Sequence, residues 1–62
     1  MCESDAYLVK KGKEALIMAG VDVIKQYQTG ELELETALGE KKVVKARIKE
    51  INLGRHKIVL EE

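Results

Sequence analysis

Cys2 and His56 are the single thiol and the single imidazole of this 62-residue chain. They do not make a nucleophile–base pair. Cys2 and the lone Ser4 stand near one end of the sequence and His56 near the other. His56 lies between Arg55 and Lys57, which discourage both its protonation and cation binding, so it reads as a solvated loop histidine. Glu31, Glu33 and Glu35 alternate with Leu32 and Leu34, which makes them the solvated face of a strand and not a catalytic pair. The glycines at 12, 20, 30, 39 and 54 are spread one per turn and form no phosphate cradle. A catalytic apparatus is therefore not expected.

Cys2 is distinguished by position. Loss of the initiator Met, expected before a small residue, leaves Cys2 first in the chain. Its α-amine and thiolate can then close a five-membered chelate ring, with the Glu3 amide nitrogen adjacent. Planar nitrogen and thiolate donors suit Ni(II), and Cu(II) where redox permits; Zn(II) and Cu(I) fit a tetrahedral or trigonal thiolate set. One chain offers too few donors, but a two-fold axis doubles each of them.

A second set of candidates is basic. Eleven Lys and Arg balance eleven Asp and Glu, yet residues 1–40 hold four basic and eight acidic side chains and residues 41–62 seven and three. Lys45, Arg47 and Lys49 project from one strand face, with Arg55 and Lys57 about a loop, which is the outline of a surface for RNA. Three features weigh against it. The pI is about 6.6, stacking platforms are limited to Tyr7 and Tyr27, and acidic residues are expected opposite two of the cations.

The elements that must position these residues are short strands. Runs rich in Val, Ile, Leu, Tyr and Thr lie between the glycines: Ala6–Lys10, Glu14–Met18, Val21–Gln26 and Glu31–Thr36. Helix competes for residues 31–51, but period-two alternation at Leu32/Leu34 and Val44/Ala46/Ile48 favours strand. A three-residue loop Leu38-Gly39-Glu40 would set Leu34 against Val44 and Leu32 against Ala46, and on the outer face Glu33 against Lys45 and Glu31 against Arg47. Ile48 and Ile51 are three apart, so a bulge or bend is expected at Lys49-Glu50. A loop Gly54–Lys57 would then set Ile51 against Leu60 and Leu53 against Ile58. With no long crossover available, pairing should be antiparallel throughout. The expected fold is all-β: one domain, residues 1–62, a small, strongly bent antiparallel sheet or barrel of about six strands. A core this small favours a homodimer, with Val43 and Val59 as apolar positions left outside. The chain has no membrane span and an acidic, polar start, Met1-Cys2-Glu3-Ser4-Asp5; together with the unpaired thiol this gives the cytoplasm as the expected compartment.

The start Met1-Cys2-Glu3-Ser4, the run Ala6-Tyr7-Leu8-Val9-Lys10 turning at Gly12, the strand Val21-Asp22-Val23-Ile24 and the closing Ala46–Leu53 and His56–Leu60 resemble the CooT family across essentially the whole chain. The resemblance implies a homodimer of small β subunits that binds Ni(II) through Cys2, the one residue it assigns; residues 1–5 are the expected metal-binding segment, and the Glu3 backbone nitrogen joins the donors on the chemistry of the residues alone. It implies a role in nickel handling for carbon monoxide dehydrogenase. The same family has carried a label of RNA binding, which corresponds to the reading of the Lys45/Arg47/Lys49 face.

Overall fold

The structure is a computed structural model that describes residues 3–62. It is all-β, with six strands: β1 (Ser4–Lys10), β2 (Lys13–Gln26), β3 (Glu31–Thr36), β4 (Lys41–Lys45), β5 (Arg47–Asn52) and β6 (Lys57–Glu61). They form one sheet in the order β4-β3-β2-β1-β6-β5.

The turns follow from which residues accept a left-handed backbone. Lys11 and Gly12 both have positive φ, 51° and 78°, and join β1 to β2 as a two-residue loop of the type I′ kind, whose twist matches that of the strands. The next two hairpins share one solution. Gly30 N–H donates to the Tyr27 carbonyl at 3.1 Å and Tyr27 N–H to the Glu31 carbonyl at 2.9 Å; Gly39 N–H donates to the Thr36 carbonyl at 3.0 Å and Thr36 N–H to the Glu40 carbonyl at 2.9 Å. Each loop has three residues and ends on a left-handed glycine, with φ of 91° at Gly30 and 93° at Gly39.

That geometry corrects the β3–β4 register. The expected loop put Gly39 in the middle; the left-handed residue belongs last, so the loop is Ala37-Leu38-Gly39 and the register moves by two. Leu32 now faces Val44, Leu34 faces Lys42, and outside Glu31 faces Lys45, Glu33 faces Val43 and Glu35 faces Lys41. An even shift keeps every side chain on its expected face and changes only its partner. The β5–β6 hairpin repeats the lesson. Ile51 faces Ile58 and Asn52 faces Lys57, so the turn is Leu53–His56, closed by His56 N–H on the Leu53 carbonyl at 3.3 Å, with His56 and not Gly54 left-handed at φ 54°.

Two further expectations change. β2 runs unbroken through Gly20, and the sheet is mixed: β1 pairs antiparallel with β2 but parallel with β6, Ala6 against Ile58 and Leu8 against Leu60. Parallel pairing does need a long crossover, and here β2 to β5 together supply it. The expected bulge is present as a register shift between Ile48 and Glu50. The strand itself is broken earlier, at Ala46, the one residue between β4 and β5. Because β4 and β5 are the two edges of the sheet, that one-residue link forces the sheet to curl until its edges meet at one end, without a ladder between them that would close it into a barrel.

The curl encloses Ala6, Val21, Leu32, Leu34, Ile58 and Leu60. Ile24, Val44, Ala46 and Ile48 pack against this cluster. Of the two apolar positions expected outside, Val43 is 57% exposed but Val59 only 6%. Val59 is flanked by Tyr7 on β1 and Glu50 on β5, so this chain itself covers it.

Candidate functional site: the N-terminal pole

Strand β1 enters the sheet at Ser4, which is buried and pairs with Val21; Val21 in turn pairs with Thr36. From Ser4 to Ala6, two steps of β1 are matched by three of β2, Val21 to Met18, which is a bulge at Gly20. Gly20 adopts φ 71° there. Its N–H donates to Asp5 Oδ1 at 3.3 Å, and the Asp5 N–H donates to the His56 carbonyl at 2.8 Å. The root of the N-terminal segment is therefore tied to two elements within three residues of Cys2. Flanking it are the β3–β4 and β5–β6 turns, each of which carries an exposed leucine, Leu38 at 91% and Leu53 at 73%.

Cys2 lies outside the described residues. Glu3 is exposed and precedes β1. Ser4 and Asp5, placed by the sequence in a metal-binding segment, belong to β1. Among the described residues, no group of three His, Cys, Asp or Glu side chains could hold a metal ion. The histidine has a part that the sequence did not disclose. Its backbone closes the β5–β6 turn and accepts from Asp5, while Arg55 N–H donates to Asn52 Oδ1 at 3.1 Å to shape the same turn. A signal was present in Asn52, a residue type that hydrogen-bonds to backbone two or three residues on.

The basic candidates separate into two groups. Lys45 and Arg47 flank the Ala46 corner, where with Gln26, Gly30, Glu61 and Glu62 they line a shallow cavity of about 340 Å³. Arg47 Nη2 reaches Glu61 Oε1 at 3.8 Å. Lys49 follows at the β5 bulge. Arg55 and Lys57 lie at the other pole, beside Asp5. Lys57 Nζ is 2.8 Å from Glu14 Oε1 and 4.9 Å from the centre of the Tyr7 ring. The hydrogen bond that the Lys57 ammonium donates to Glu14 holds it above its ordinary pKa, against a smaller desolvation effect. The five cations thus form no single stripe, and the acid opposite Lys45 is Glu31, not Glu33. The second tyrosine is engaged as well. Tyr27 Oη donates to Glu33 Oε1 at 3.0 Å, and this bond, with desolvation and the charges of Glu33 and Glu31, raises the phenol pKa.

Comparison with known proteins adds two findings. The sequence profile described as CO dehydrogenase accessory protein CooT matches residues 1–61. A crystal structure provisionally assigned as CooT from Carboxydothermus hydrogenoformans is similar to this chain, with 41% identity and a TM-score of 0.88, covering 98% of this chain and 97% of that one. No curated protein matches the sequence.

Proposed function

From its membership of the CooT family, to which the chain belongs, we propose that this protein is a non-catalytic nickel carrier that serves carbon monoxide dehydrogenase in the cytoplasm. The observation that carries the reading is the position of its single thiol, Cys2, in a chain whose profile match spans residues 1–61. The ion is cargo. Cys2 supplies a thiolate, the adjoining backbone supplies nitrogen donors, Glu3 among them, and a second copy of the chain supplies the same set again, so that Ni(II) sits between two subunits. The described residues add support of a different kind. Asp5, Gly20 and His56 pin the base of the segment, which lowers the entropy lost when a short N-terminal arm is ordered on a metal.

The test is nickel titration of the wild type and Cys2→Ala, followed by thiolate-to-metal absorption in the near ultraviolet and by native mass spectrometry. The wild type should take up one Ni(II) per two chains with a new charge-transfer band, and Cys2→Ala should show neither. Affinity should rise with pH, because the thiol must lose its proton to bind. Unchanged uptake by the variant would refute the assignment.

A further inference from the structure

The two free edges of the sheet, β4 and β5, are one stretch of chain interrupted only by Ala46, and residues 41–49 contain Lys41, Lys42, Lys45, Arg47 and Lys49 with no carboxylate. Strand β4 offers main-chain groups on one side alone to β3; among the described residues nothing pairs with its other side. We propose that this open edge of β4 is a docking site for an extended, acidic segment of a partner protein, which adds to the sheet as a further strand.

The chain already displays the chemistry that β4 accepts. Its one neighbour, β3, reads Glu-Leu-Glu-Leu-Glu-Thr, and sets Glu31, Glu33 and Glu35 against Lys45, Val43 and Lys41. Glu31 takes a hydrogen bond from Thr29 Oγ1 at 3.1 Å and Glu33 one from Tyr27 Oη at 3.0 Å. Among the described residues, no carboxylate lies within ion-pair distance of Lys41, Lys42 or Lys45. The three ammonium groups therefore remain available to a strand on the opposite flank, with Val43, 57% exposed, as the apolar contact at its middle. At the start of β4, Glu40, Lys41 and Lys42 border a depression of about 580 Å³ on the side of β2, where Ile17 and Met18 form its floor.

A second copy of this chain does not fit the edge. Two β4 strands brought together antiparallel would oppose lysine to lysine, and directly opposed like charges destabilise a strand pair; edge lysines are a common guard against such self-pairing. A nucleic acid fits less well than an acidic strand, because the unpaired groups of the edge are main-chain donors and acceptors in strand spacing, and both tyrosines are engaged.

The proposal does not depend on nickel, and its test uses the metal-free full chain. The probe is a synthetic peptide of about ten residues with glutamate at alternate positions and valine between, a length that covers an ordinary strand. Its controls are the same peptide with lysine for glutamate and a single-stranded oligouridylate. The expected result is slower amide hydrogen exchange confined to Lys41–Lys45 when the glutamate peptide is added. Binding should weaken as salt rises, and should fall at least about tenfold in Lys41→Glu, at an exposed position on the face that meets the glutamates, with the wild-type circular dichroism spectrum retained. No binding, protection confined to other strands, or tighter binding of the oligouridylate would each overturn the proposal; the exchange experiment on the wild type decides it even if the variant is poorly folded.

Discussion

His56 acts through its main chain, and a substitution can separate that role from any chemistry of its ring. A non-glycine residue at φ 54° stores strain, so His56→Gly should leave the turn intact and raise stability by roughly 0.5–1 kcal/mol in urea denaturation. Nickel affinity should not change in the same variant, since the ring has no place in the proposed donor set; a tenfold loss would assign the imidazole a ligand role. Tyr27 gives a second test at this scale. Its hydrogen bond to Glu33 favours the neutral phenol, so the contact is complete at neutral pH and is lost as alkali ionises the ring. Glu33→Gln should lower the phenol pKa, read by ultraviolet titration, because it removes the acceptor charge that raises it.

Among elements, the turns decide the pairings. Gly30→Ala and Gly39→Ala each place a side chain at φ above 90°, where no neighbour lies within 4 Å of the added Cβ and the penalty is conformational. Each should cost about 1–2 kcal/mol in thermal or urea unfolding. Lys11→Asn, at a φ of 51° in the type I′ loop, should do the reverse by a few tenths of a kcal/mol. The same residues explain how far the sequence could be read. Strand character and the buried face of β3 were legible, because Leu32 and Leu34 alternate with charge, but the break at Ala46 was not, because Val44, Ala46 and Ile48 keep the same alternation across it from β4 to β5. Partners were not, because a three-residue loop can be drawn with its glycine in the middle or at its end, and the two choices differ by two in register while leaving the faces identical. The parallel β1–β6 pair left no trace in either strand, since its crossover is the rest of the protein. Of the candidate residues, Cys2 is singled out by position alone and lies outside the described residues, while the bond from Asp5 N–H to the His56 carbonyl depends on backbone groups that any residue type but proline supplies.

At the scale of the whole molecule the core is small, and each of its leucines is a large part of it. A domain of 62 residues has a stability of about 3–9 kcal/mol, and Leu34→Ala at a fully buried site removes about 2–5 of that. The variant should be largely unfolded at 37 °C by circular dichroism. If two copies share Ni(II) as proposed, added nickel should restore part of its transition temperature, since an ion bound by the native pair alone favours folding. A further consequence comes from strand order. Among the described strands the last in chain order, β6, stands between the first, β1, and β5, so it completes the pairing of both. On a ribosome β1 therefore waits, with one flank open and the His56 carbonyl not yet opposite Asp5, until residues 57–61 have emerged. The base of the N-terminal segment at Asp5 is fixed only once β6 has been made, and a chain cut short before β6 would carry the cysteine without that anchor.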